Sequence, residues 1–129
     1  VPRSGSNNHK IGRQGEFLAA YILETHGVEV HHVDRQDADL WCRVGNRLTT
    51  VQVKTSSGAK LRSQGAVTPV YNFCTPPISV DWYCFLSLAH GLLLMRPANA
   101  VVQKYTTIRH PEFTEENQRK TIEDFIKSC

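Results

Sequence analysis

Hydrophobic and polar positions along the chain fall into runs of two periods. Between Asn8 and His26, Ile11, Gly15, Leu18, Ile22 and Thr25 make one helical stripe. Gly12, Ala19, Ala20 and Leu23 make a second, leaving a narrow polar side of Lys10, Arg13 and Glu24. This pattern predicts a mostly buried helix, with Asn7 or Asn8 as its N-cap and Gly27 placed for the C-cap. Val28–Val33 alternates as a strand. Two β-rich runs, Asp37–Val44 and Arg47–Lys54, flank Gly45-Asn46, the composition of a tight hairpin. Ala66–Phe73 predicts another strand, demoted to an edge by Pro69. Asp81–Leu88 is a near-continuous apolar run and predicts a central strand covered on both faces. His90-Gly91 turns it into Leu92–Met95, and Pro97 is placed to start a short helix reaching about Lys104. Thr114 can cap a last helix to about Lys127, whose Ile122, Phe125, Ile126 and Cys129 form one stripe that closes the core or meets a second subunit.

The hairpin changes the picture from fold to chemistry. If Val44 pairs with Arg47, pairing carried outward sets Asp39 opposite Gln52 and Asp37 opposite Lys54. Alternation puts those four side chains on one face and Leu40, Cys42, Val51 and Val53 on the other. Directly opposed side chains have Cβ atoms roughly 4.5–5.5 Å apart. An Asp and a Gln oxygen at that spacing can share one hard cation, with an ammonium one step away. Glu16 adds a third element, because it lies in an apolar arc beside small residues. A carboxylate there is costly unless it is hydrogen-bonded, paired or bound to metal. The bland alternatives are a solvated hairpin face with a weak surface ion pair, and a Glu16 that reaches solvent at the arc's edge. His31-His32 resembles a metal pair only superficially, since adjacent strand residues point to opposite faces.

Composition bounds the rest. Val1–Ser6 reads as the remnant of a protease-site tag and is set apart from the fold, leaving one domain over 7–129. No apolar run approaches the roughly 20 residues of a membrane span, and no signal peptide is visible. Cys42, Cys74, Cys84 and Cys129 are scattered without close pairs, so neither a zinc site nor a disulfide framework follows. An intracellular, cytoplasmic setting is the expectation. Net charge is only +3, yet between Leu40 and Arg109 the bases are met by a single acid, Asp81. A basic middle suits a polyanion partner. The stretch Thr55–Gly65 carries Lys60 and Arg62 and leaves the metal face directly, so it is placed to clamp a phosphate backbone.

The order of these motifs resembles a known family. Gly12-x-x-Gly15-Glu16 lies on a helix, followed by a strand, then Asp39-Leu40 and Gln52-x-Lys54. Val80-Asp81-Trp82-Tyr83 follows, with Arg96-Pro97 and an Ala-Val-Val run after it. Over roughly Ile11 to Val102 this resembles the PD-(D/E)XK nuclease superfamily, and within it the group I intron homing endonucleases and Holliday-junction resolvases. The resemblance implies a restriction-endonuclease-like α/β fold, a mixed sheet flanked by helices in a single domain, and metal-dependent hydrolysis of DNA phosphodiesters. Carried over by position, Asp39 is the metal-binding aspartate, Gln52 holds the second acidic position, Lys54 is the motif lysine and Glu16 the helix-borne glutamate. Two departures stand out: Ala38 replaces the proline of the PD motif, and Gln52 replaces an acid. The expected centre binds Mg²⁺, with Mn²⁺ as a substitute, through Asp39, the Gln52 oxygen, the Val53 carbonyl and Glu16. Lys60 and Arg62, with Arg43 and Arg47 as weaker candidates, meet the DNA, and a homodimer or higher symmetric oligomer presents two sites. The rivals are a non-cutting nucleic-acid-binding module and a dimeric interaction protein.

Overall fold

A computed structural model describes residues 4–33, 38–57, 68–75, 78–101 and 103–128, with side chains from Lys10 onward. Helix α1 (Ser4–Thr25) opens the chain, four residues before the expected start, so neither Asn7 nor Asn8 caps it. Its C-terminus is as the sequence suggests. Gly27 takes φ +88°, its N–H donates to the Glu24 carbonyl, and the Val28 N–H donates to that of Leu23. These are the two bonds that satisfy a helix's last carbonyls once a left-handed residue reverses the chain.

Strands β1 (Glu29–His32), β2 (Leu40–Val44), β3 (Arg47–Ser56), β5 (Trp82–Ser87) and β6 (Leu92–Pro97) form one mixed sheet, in the order β1-β2-β3-β5-β6. The first three pair antiparallel, β3 and β5 run parallel, and β6 returns antiparallel. The β2–β3 turn is the expected one, Val44 opposite Arg47, with Gly45 at φ +60° in the first turn position. Every residue of β5 is buried, because both faces of the sheet are covered there.

One face carries Leu40, Cys42, Val51, Val53, Cys84, Leu86, Leu93 and Met95 against α1 and α2 (Glu115–Ser128). The predicted cap of α2 is present, with the Asn117 N–H donating to Thr114 Oγ1. Ile122 and Phe125 close this core. The same helix also covers the outer edge of β6. Gln118 Oε1 accepts from the Leu93 N–H, and Thr121 Oγ1 accepts from that of Met95. An exposed edge is thereby blunted.

Among the described residues, the apolar cover on the other face centres on β5 and β6. A two-stranded sheet of β4 (Val70–Cys74) and β7 (Tyr105–Arg109) lays Tyr71, Phe73 and Ile108 on Tyr83, Phe85 and Leu94. Three expectations are corrected here. Pro69 precedes β4 rather than lying within it. Pro97 ends β6 and is followed by one short 3₁₀ turn, Ala98–Ala100, and not by a helix to Lys104. Finally, α1 is not mostly buried: Arg13, Gln14, Phe17, Tyr21 and Glu24 face solvent, with Phe17 at 55% and Tyr21 at 68% exposure. Among the described residues no helix is long and apolar enough to cross a membrane. Cys42 and Cys84 are buried thiols and Cys74 is exposed, none of them in a disulfide.

Candidate active site at the β2–β3 junction

The site forms where β2 leaves β3. Regular pairing ends at Leu40–Val51, while β3 runs on to Ser56 with β5 on its other side. Asp39 is the residue that manages the separation. Its N–H donates to the Val51 carbonyl, its own carbonyl accepts from the Val33 N–H, and its Oδ2 accepts from the Val53 N–H at 2.9 Å. A carboxylate oxygen therefore stands where a third strand's carbonyl would. An extended residue projects its N–H and C=O toward the same edge. The Val53 carbonyl accordingly faces the Asp39 side and not β5.

Burial raises the Asp39 carboxyl above its usual range, against the opposing pull of the Val53 N–H and the nearby Lys54 ammonium. Gln52 and Lys54 lie beside Tyr83 and Phe85 in the β3–β5 register. Gln52 Oε1 is buried and accepts no hydrogen bond, which is costly for an amide oxygen unless something else fills its lone pairs. This orphaned oxygen, the desolvated Asp39 carboxylate and the Val53 carbonyl are all hard oxygen donors, the set that Mg²⁺ takes. The residues present fit the ion. Among the described residues no three His, Cys, Asp or Glu come together.

Helix α1 approaches the same end of the sheet closely at Gly15. A Cβ built on Gly15 would fall 1.8 Å from Thr55 Oγ1 and 2.7 Å from Thr55 Cβ. Only glycine lets α1 sit this close to β3, one residue past Lys54. Glu16 follows Gly15 and is half-buried. The stripe read from the sequence contained Gly15, but its contact with Thr55 has no signature in the chain.

The four expected bases divide. Arg43 and Arg47 are exposed, but Arg47 lies seven residues from Lys54, about 23 Å along the strand. They also point to opposite faces. Arg43 lines a cavity of about 600 Å³ with Trp41 and His31, whereas Arg47 lines one of about 610 Å³ with Asp81. Neither joins the Asp39–Gln52 cluster. Lys60, Arg62 and Asp37 lie outside the described residues. Asp81, for which the sequence suggested no bonding role, staples β3 to β5: its Oδ2 accepts from the Thr50 N–H and from both Thr49 and Thr50 hydroxyls.

Sheet order, the covering helices and the oxygen-lined junction together define a restriction-endonuclease-like α/β domain. The structure superposes on that of the bacterial homing endonuclease I-Ssp6803I with a TM-score of 0.68, over 92% of this chain and 90% of that one, at 16% identity. At that identity the likeness is one of fold. In sequence the chain is homologous to a UPF0102 protein of Anaeromyxobacter dehalogenans (strain 2CP-C), 33% identical over 92 residues, which cover 67% of this chain and 66% of that protein. The chain thus spans just under two thirds of that relative's length. No family model matches it.

Proposed function

We infer that the chain is a PD-(D/E)XK-type endonuclease that hydrolyses DNA phosphodiester bonds with the help of Mg²⁺, for which Mn²⁺ can substitute. The observation that carries this reading is the buried, unpartnered Gln52 oxygen, one residue before Val53, whose N–H the desolvated Asp39 carboxylate accepts. Asp39, Gln52 Oε1 and the Val53 carbonyl would hold the ion, with Glu16 completing the shell directly or through water. When bound, the ion polarises the scissile phosphate and makes water a better nucleophile. The chain's own residues do the rest. The Val53 N–H fixes Asp39 Oδ2 in place, so one ligand oxygen is pre-oriented. Lys54 orients the attacking water or offsets charge that develops on the phosphoryl oxygens. Lys60 and Arg62 meet the DNA backbone, and a homodimer or higher symmetric oligomer presents two centres to a duplex.

The departure at Gln52 favours a second reading, a nucleic-acid-binding module of the same fold that no longer cuts. One assay separates them. Plasmid, branched and single-stranded DNA are incubated with the protein in Mg²⁺, Mn²⁺ or EDTA. Metal-dependent products that disappear with Asp39→Ala support the nuclease. A retarded band without products supports the binding module, and neither result leaves a protein–protein interaction role for the exposed α1 face or the last helix.

A further inference from the structure

We propose that His90 and His110 form a binding site for a borderline transition ion such as Zn²⁺ or Ni²⁺, distinct from the oxygen-lined junction. His90 sits in the β5–β6 turn, and His110 opens the short 3₁₀ turn (His110–Glu112) after β7. They come from the main sheet and from the small sheet that covers it. His90 Nε2 and His110 Nδ1 stand 3.2 Å apart, with the rings tilted 53° to one another. Two imidazole nitrogens each about 2.0–2.1 Å from a tetrahedral ion are separated by roughly 3.3 Å. The pair is therefore spaced as two corners of such a shell.

Both rings are held from behind. His110 stacks on Tyr71 at 9° between planes, and His90 stacks on Phe113 at 7°. Tyr71 and Phe113, packed edge to face, are themselves buried. Ser87 Oγ accepts from the His90 N–H and donates to the Tyr71 hydroxyl, tying the turn to the small sheet. His90 is exposed and His110 half-buried, so an ion can reach the facing nitrogens. In the metal-free protein one of those nitrogens carries the proton that they share. For an ion to take both, the donating ring gives up that proton and takes one from water on its other nitrogen, so two neutral imidazoles each contribute a lone pair with no net proton released. No other His, Cys, Asp or Glu among the described residues joins the pair, so water fills the remaining positions. Imidazole selects Zn²⁺, Ni²⁺ or Cu²⁺ over Mg²⁺, so this site and the Asp39 junction do not compete for one ion. Filled, it would clasp the small sheet to the main sheet.

The test is equilibrium dialysis of Ni²⁺ or Zn²⁺ against the whole chain at fixed excess Mg²⁺, together with thermal melting. The expected result is one saturable ion per chain, released on acidification, and a melting temperature that rises with ion concentration. His90→Ala and His110→Ala should each abolish both effects, whereas His31→Ala and His32→Ala leave them intact. Modification of the parent by diethylpyrocarbonate gives a readout that needs no variant: the ion should protect His90 and His110 together and spare neither His31 nor His32. Binding unchanged in the His90 and His110 variants, absence of a saturable site, or protection without selectivity would each overturn the proposal.

Discussion

Replacing Gln52 by leucine should push the protein's stability in opposite directions with and without Mg²⁺. Gln52 Oε1 is buried and accepts no hydrogen bond. An orphaned buried acceptor costs about 1–3 kcal/mol, and an apolar side chain of similar shape removes that cost. Since Gln52 as a whole is only half-buried, the low end applies, a gain of about 1 kcal/mol in EDTA. For a domain of this size that is a melting temperature higher by about 4 °C. In Mg²⁺ at a hundredfold excess over Kd the parent gains about 2.7 kcal/mol, close to 10 °C. The leucine variant has lost an oxygen ligand and should gain far less, so the order of melting temperatures inverts. The assay is thermal unfolding by circular dichroism across a Mg²⁺ series, with Gln52→Ala and Gln52→Glu alongside. The alanine variant should lose cleavage, and the glutamate variant should bind Mg²⁺ more tightly while melting lower in EDTA at neutral pH. If Gln52→Leu melts lower than the parent in EDTA and gains the same increment from Mg²⁺, Gln52 is no ligand and the reasoning is wrong.

Three other perturbations test the same junction. Burial holds the Asp39 carboxyl above its ordinary range, so the folded chain binds that proton more tightly than the unfolded one. Between those two values the metal-free protein should lose stability as pH rises, and Asp39→Asn should remove that slope from a series of denaturant melts while abolishing cleavage. Lys54→Ala should lower kcat far more than it weakens DNA binding, as separate turnover and band-shift titrations would show, because the ammonium acts on charge that develops during reaction. Gly15→Ala gains about 1 kcal/mol of helix propensity but forces a Cβ to within 1.8 Å of Thr55 Oγ1. Overpacking of this kind costs about 1–3 kcal/mol, so urea unfolding should show a net loss, and a stabilised variant would mean that α1 can move away from β3 at little cost.

The hairpin was legible because its information is local. Alternation fixes which side chains share a face, and the Gly45-Asn46 turn fixes the register, so the Leu40–Val51 and Val44–Arg47 pairings could be written from the sequence. The burial of β5 was legible for the same reason, from an unbroken apolar run. Pairings between distant segments were not. Tyr105–Arg109 looks like an unremarkable polar stretch, and its partner begins thirty-five residues upstream at Val70, so neither strand predicts the other. Pro97 suits a helix start as well as it suits the last position of an edge strand, and only the return pairing with Trp82 decides. The wheel of α1 predicted a mostly buried helix with only a narrow polar side, whereas Phe17 and Tyr21, which neither stripe includes, also face solvent. Reading Asp39 as an ordinary rung opposite Gln52 also missed that its carboxylate, and not its backbone, completes the bond to Val53.

That last substitution explains how so small a domain makes a polar site in a dry place. A strand that simply ended would leave the Val53 N–H without a partner, at a cost of about 1–3 kcal/mol if buried. Asp39 satisfies it with a charged oxygen and, in doing so, is drawn out of water while keeping a second oxygen for another partner. A carboxylate at position 52 would then lie about 5 Å from the first, and the two would repel by roughly 3 kcal/mol at an effective dielectric near 20. Glutamine keeps an oxygen at that point without the repulsion, and Lys54 needs to balance one charge instead of two. The same choice leaves a buried amide oxygen unbonded. A cation at the junction would offset both residual costs together: it neutralises the buried charge of Asp39 and fills the empty lone pairs of Gln52. On the reading proposed above, the junction would be least stable when empty and would gain stability as the ion binds.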